Sequence, residues 1–238
     1  MTLIVGLACK NGIVMSSDGQ ATTGSAGGPV RQSVSKIKQI GERTLWGASG
    51  TLGFIQDIEN VLSNIPVELK NTELEQLREV ISQNVHQLRK KVLEQHRDLH
   101  GPSADGAPGA DLLLVEYRNG KTRILHVDFD CNQEWLEEFG FGASGIGDTF
   151  AYTILKNYDV NDCPVNQGKV LAYRVIRDAI EVGAFGLGEP IDIWVIDENG
   201  VKQESLGEMA AIRDTFRLWI EAEKETFRGL FCKTEEVK

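Results

Sequence analysis

The stretch that most constrains this chain is its opening. An apolar run, Leu3-Ile4-Val5-Gly6-Leu7, leads to Lys10-Asn11-Gly12, and a second apolar run ends on Ser16-Ser17-Asp18. Asn-Gly between two apolar runs is the strongest short-range hairpin signal. Such a hairpin returns Asp18 to the side of the chain start. The residue after Met1 is Thr2. With Met1 removed, Thr2 carries a hydroxyl and a free α-amine. A Thr hydroxyl is a poor nucleophile until a base stands beside it, and an N-terminal Thr brings that base as its own amine. Thr is also small enough at the second position for the initiator Met to be trimmed.

Composition narrows the function classes. The 238 residues fit one large domain or two small ones, and 41% apolar residues can form a sizeable core. Twenty-five Lys+Arg against 35 Asp+Glu give a net charge of −10, which argues against a general nucleic-acid or anionic-membrane binder. No apolar run approaches the roughly 20 residues that span a bilayer, and no basic-then-apolar signal segment opens the chain. Cys9, Cys131, Cys163 and Cys232 are scattered without paired metal or redox spacing, as in reduced thiols of a cytoplasmic protein. His96 and His100 are four apart but read as solvated residues near a helix end, so no metal site is expected.

Along the chain, Ala21–Gly28 is rich in Gly, Ser and Thr and reads as a loop, followed by strands over 32–40 and 43–49. Gly50 is expected to open a helix with Leu52, Ile55, Ile58 and Leu62 on one face. A long helix is expected over 72–99, its stripe formed by Leu74, Leu77, Ile81, Val85, Leu88 and Val92. The Gly/Pro-rich segment 101–109 reads as a loop inside a continuing domain, because strands 111–117 and 122–127 flank Asn119-Gly120. Helices over 147–156 and 169–182, a hairpin around Asn199-Gly200 and a helix at about 208–231 complete one domain, 1–238. Segregated blocks of strands and helices indicate an α+β fold.

Five stretches carry a family resemblance: Thr2-Leu3-Ile4-Val5-Gly6, Gly12-Ile13-Val14-Met15-Ser16-Ser17-Asp18, Ala21-Thr22-Thr23-Gly24, Ser35-Lys36-Ile37 and Ala48-Ser49-Gly50. Together they resemble the mature β-type subunits of the proteasome family, which are N-terminal-nucleophile hydrolases. Asp18-Gly19-Gln20 looks more like the bacterial ATP-dependent peptidase branch. The resemblance is dense over the first sixty residues and thereafter is one of element order. It implies a four-layer α/β/β/α sandwich of two stacked antiparallel sheets. It also implies a threonine peptidase without cofactor, with Thr2 as nucleophile, Lys36 as the buried cation that tunes it and Asp18 as the partner of Lys36. Gly50 would supply the oxyanion N–H. Lys38, two residues on, competes with Lys36 for its role. The wall of the first substrate pocket would include Ala21, Val34, Lys38, Ala48, Leu52 and Gln56, suiting an apolar residue before the cleaved bond, or an acidic one recruited by Lys38; Thr22 would also bind substrate. Implied partners are peptides or unfolded chains, further copies in stacked homo-oligomeric rings, and an ATPase unfoldase or α-type ring.

The second half departs from the family pattern. Where members carry a Ser between two Gly, this chain has Gly145-Ile146-Gly147, with Ser144 nearby but shifted, which makes Ser144 a further candidate for the catalytic set. Where they carry an Asp and then a Ser, the segment Glu181-Val182-Gly183-Ala184-Phe185-Gly186-Leu187-Gly188 has neither. Two alternatives therefore stand beside the peptidase: a non-catalytic ring or scaffold subunit, and an amidase or transpeptidase of the same nucleophile class acting on small acyl groups.

Overall fold

The opening forms the expected hairpin. In the computed structural model, β1 (Leu3–Cys9) and β2 (Gly12–Asp18) pair antiparallel from Ile4 opposite Ser17 to Cys9 opposite Gly12, with every residue buried. The structure describes residues 1–25, 28–101, 106–183 and 186–232, without the side chains of 22–31 and 231–232. After the hairpin come β3 (Gln20–Ser25), β4 (Gly28–Ser33), β5 (Ile37–Ile40), β6 (Thr44–Gly50), α1 (Leu52–Ser63), α2 (Val67–Lys70) and α3 (Leu74–His100). Next are β7 (Ala110–Arg118), β8 (Lys121–Val127), β9 (Gln133–Trp135), β10 (Phe141–Gly145), α4 (Asp148–Leu155), α5 (Val165–Glu181), β11 (Ile191–Asp197), β12 (Gly200–Gln203) and α6 (Leu206–Cys232).

Two five-stranded antiparallel sheets, ordered β10-β1-β2-β11-β12 and β5-β6-β7-β8-β9, stack face to face. The period-2 alternation of β1 divides its side chains between two layers. Leu3, Val5, Leu7 and Cys9 join the core under α4, α5 and α6, while Ile4 and Ala8 join the core between the sheets. On the other side, Trp46, Ala48, Leu112 and Leu114 pack against Phe54, Ile58 and Leu62 of α1 and the Leu74, Leu77, Ile81, Val85 stripe of α3. The result is the four-layer α/β/β/α sandwich. Fully burying a Leu or Ile side chain contributes about 1.5–3 kcal/mol, and such residues fill all three interfaces. The sheets approach closely at Gly6, where a Cβ would lie 2.9 Å from a Val115 methyl.

Several elements differ from the sequence reading. The expected loop 21–28 is mostly strand, paired as β3–β4 from Gln20 opposite Ser33 to Ser25 opposite Gly28; Ala26 and Gly27 lie outside the described residues. Gly, Ser and Thr mute hydrophobic alternation, but a backbone ladder does not require it. The single strand expected over 32–40 is broken at Val34-Ser35-Lys36, because β4 pairs with β3 whereas β5 pairs with β6. Helix α5 begins four residues earlier than the expected 169, at Val165, whose N–H donates to Asn11 Oδ1 at 3.0 Å. Gly168 disguised that first turn; its missing Cβ makes room for Cys9 Sγ. Of the three Asn-Gly pairs, Asn119-Gly120 alone has both residues at positive φ, 52° and 76°, as a type I′ turn requires. Gly12 answers to packing instead, since a Cβ there would lie 2.6 Å from the Ile196 carbonyl oxygen.

Candidate active site

The end of the sandwich where β1 begins and β2 ends holds the proposed chemistry. Asp18 is fully buried and accepts four hydrogen bonds. Its Oδ1 takes Leu3 N–H at 3.0 Å and Lys36 Nζ at 2.6 Å; its Oδ2 takes Gln20 N–H and Gly188 N–H, each at 3.3 Å. The Leu3 and Gln20 contacts follow from the hairpin. The Gly188 contact comes from the segment before β11, which Gly19 N–H also grips through the Gly188 carbonyl at 3.0 Å. Ala184 and Phe185 of that segment lie outside the described residues.

Lys36 sits in the break between β4 and β5, its side chain only 7% exposed. Nζ also donates to the Met1 carbonyl at 2.9 Å, which lies one C–N bond from Thr2 N. Burial pulls the Lys36 ammonium below its usual lysine range, and the Asp18 charge and hydrogen bond pull it back. Lys38 has a different partner: it forms an ion pair with Glu59 of α1. The two lysines, two residues apart, are thereby assigned to separate carboxylates.

Thr2 is half-buried just ahead of β1 and lines a cavity of about 270 Å³. Of the substrate-wall residues read from the sequence, Ala21, Val34, Lys38, Ala48, Leu52 and Gln56 line it. Thr22 lies on β3, its side chain outside the description. Leu52 is 50% exposed because it faces this cavity; Phe54 takes the core position on α1 that the stripe had given to Leu52. Sequence reasoning missed Trp46, which stands behind Ala48 on the same face of β6, and Glu59, three residues after Gln56 on the cavity face of α1. Helical spacing from Leu52 through Gln56 was the available signal for Glu59.

Gly50 ends β6 at the cavity, two residues before α1, rather than opening the helix itself. Its φ is +145°, and a Cβ would lie 2.3 Å from the Gly109 carbonyl oxygen, so glycine is required. Ser144 does not line the cavity. It is buried between the sheets, and its hydroxyl shares a 2.9 Å hydrogen bond with that of Ser49, joining β10 to β6. Next to it, Gly145 pairs with Leu3; a Cβ there would lie 2.1 Å from the Thr2 carbonyl oxygen. Ile146, at the position where the resemblance led one to expect Ser, is 49% exposed. No group of three or more potential metal ligands gathers among the described residues.

An acid near Ser49 has a titration of its own. Asp111 stands opposite Ser49 on β7, and burial pushes its carboxyl up to about 6; a backbone N–H of Phe129 opposes this, while Asp128 and Asp148 add to it. An acid raised from 3.8 binds more protons folded than unfolded across that window. Stability is therefore lost as pH rises from about 4 through 6, and the cost is complete above it. Asp111→Asn is expected to raise the thermal midpoint relative to the parent at pH 7.5 and to have little effect at pH 4. Midpoints that differ by the same amount at both pH values would overturn this.

Two stacked antiparallel sheets between helical layers, with Thr2 leading into an inner strand, define the N-terminal-nucleophile fold class. The proteasome-subunit family model matches residues 2–196, and the chain belongs to that family. The proteasome subunit beta of Methanococcus aeolicus is 27% identical over 205 residues, covering 84% of this chain and 86% of the relative. Proteasome subunit beta 1 of Thermococcus kodakarensis is 25% identical over 211 residues, covering 89% and 96%. Among solved structures, Anbu from Pseudomonas aeruginosa, in a helical assembly, has a TM-score of 0.73 at 15% identity, with 95% of each chain covered. Anbu from Yersinia bercovieri, called an ancestral beta-subunit, has a TM-score of 0.72 at 17% identity, covering 95% of this chain and 97% of the other. These structures share the fold.

Proposed function

We propose that this chain is a threonine-type endopeptidase subunit, active once Met1 is removed. The observation that carries the reading is the buried Asp18–Lys36 pair, 2.6 Å across, whose lysine reaches the backbone immediately before Thr2. Removing Met1 deletes the carbonyl that Lys36 now holds and leaves the ammonium facing the new amine. A cation there lowers the proton affinity of that amine and favours the ionised hydroxyl. Thr2 Oγ attacks the peptide carbonyl carbon, and its proton passes to the Thr2 amine, directly or through a water. The Gly50 N–H stabilises the oxyanion, a contribution of roughly 3–4 kcal/mol for a well-aimed donor. Collapse breaks the C–N bond as the leaving amine takes the proton. Water then hydrolyses the Thr2 ester.

Substrates are peptides or unfolded chains, and the cavity beside Thr2, with Val34, Ala48, Leu52 and Ile55 in its wall, receives the side chain before the cleaved bond. No helix among the described residues is long and apolar enough to cross a membrane. The working form in this reading is a cytoplasmic stack of homo-oligomeric rings, supplied with folded substrates by an ATPase unfoldase or gated by an α-type ring. A second reading, a non-catalytic ring subunit, draws on Ile146, an exposed apolar residue in the turn beside Leu3. Intact mass separates the two. The peptidase is expected to lose Met1 and then gain one covalent adduct on Thr2 from a peptide epoxyketone or β-lactone. A processed chain that acquires no adduct would leave the non-catalytic reading.

A further inference from the structure

The Thr2 cavity has a neighbour. A second cavity of about 150 Å³ is bordered by Gln39, Gly41, Leu62 and Ser63. Three residues line both cavities: Lys38, Trp46 and Glu59. Lys38 stands opposite Trp46 in the β5–β6 register, and Glu59 reaches across from α1 to pair with Lys38. The ion pair and the indole thus form a partition between the two spaces. One side of that partition is the wall of the cavity that Thr2 opens onto.

We infer that the Lys38–Glu59 pair is a specificity gate for the residue before the cleaved bond. This rests on the peptidase reading above. Closed, the gate presents no net charge and ends the cavity at about 270 Å³ between Val34, Ala48, Leu52 and Ile55, which selects a neutral, largely apolar side chain. An acidic substrate side chain would have to displace Glu59 to reach Lys38. A basic one would have to displace Lys38. With either partner neutralised, the other charge is left facing the cavity and the opposite substrate charge is favoured. The two side chains are 36% and 37% exposed, so water screens the pair and its substitution leaves the sandwich intact.

The test is a fluorogenic peptide library, varied at the residue before the cleaved bond and read as kcat/KM. The mature parent is expected to prefer neutral apolar residues. Glu59→Gln should raise the acidic-to-neutral ratio by about tenfold, the scale of one modest contact in a pocket, and Lys38→Met should raise the basic-to-neutral ratio similarly. Added salt should reduce both gains, since both charges are partly solvated. The exchanged pair, Lys38→Glu with Glu59→Lys, should return the neutral preference. Profiles that superimpose across parent and single variants would overturn the gate while leaving the peptidase standing. A parent that cleaves no member of the library would overturn the peptidase and the gate with it.

Discussion

Thr2→Ala is expected to reduce peptide cleavage by about 10⁴-fold or more, the scale on which removal of a nucleophile acts in hydrolases. Ala is as small as Thr at the second position, so Met1 is still removed and the α-amine is still present. Only the attacking oxygen is missing. Thr2 lies ahead of β1 and is half-buried, so loss of the hydroxyl and methyl should cost about 0.5 kcal/mol or less. Assembly mass and thermal midpoint are therefore expected to match the parent while kcat/KM falls to background. Thr2→Ser keeps both hydroxyl and amine and should recover a measurable fraction of the rate. Cleavage retained in a clean Thr2→Ala preparation would remove Thr2 from the mechanism. Loss of cleavage with loss of assembly would show that Thr2 acts on structure instead.

The parts of this site legible in the sequence were those built from short-range signals. Asn11-Gly12 between apolar runs placed Asp18 beside the chain start, and the structure closes that hairpin with Leu3 N–H on the Asp18 carboxylate. The apolar spacing of α3 gave its buried face directly. What the sequence hid depends on distant pairing. The family resemblance pointed to Lys36 as the partner of Asp18, as the structure has it, but Lys36 and Lys38 have the same parity along a strand and strand periodicity alone does not separate them. The answer lies in the break at 34–36, where the chain leaves the β3–β4 hairpin to join another sheet. Strand β10 was muted by its small residues, Gly142, Ala143, Ser144 and Gly145. A Cβ at Gly142 would lie 3.0 Å from an Ile124 methyl and 3.1 Å from a Leu113 methyl, crowding between distant segments that no short window of sequence contains. Glu59 was visible as a helical residue, but its meaning depends on Lys38 across the cavity.

Asp18→Ala and Lys36→Ala are expected to separate in stability while agreeing in activity. Breaking a buried ion pair by removing one partner costs about 3–5 kcal/mol, because the survivor is left uncompensated. The two survivors here differ. Without Lys36, the Asp18 carboxylate still accepts from the Leu3, Gln20 and Gly188 N–H groups, so the cost should fall at the low end of that range. Without Asp18, the Lys36 ammonium and the three N–H groups lose their shared acceptor, and the segment before β11 keeps only its Gly19 N–H to Gly188 carbonyl tie to the end of β2. At roughly 2–4 °C per kcal/mol for a chain of this size, Asp18→Ala should melt clearly below Lys36→Ala. Cleavage should be lost in both, since one removes the cation and the other releases it from its place beside the Thr2 backbone. Lys38→Ala is the informative comparison, because its effect should fall on which peptides are cut. If Lys38→Ala abolished all cleavage and Lys36→Ala abolished none, the catalytic assignment of the two lysines would be reversed. If Lys36→Ala melted as low as Asp18→Ala, the backbone donors would not be compensating the carboxylate.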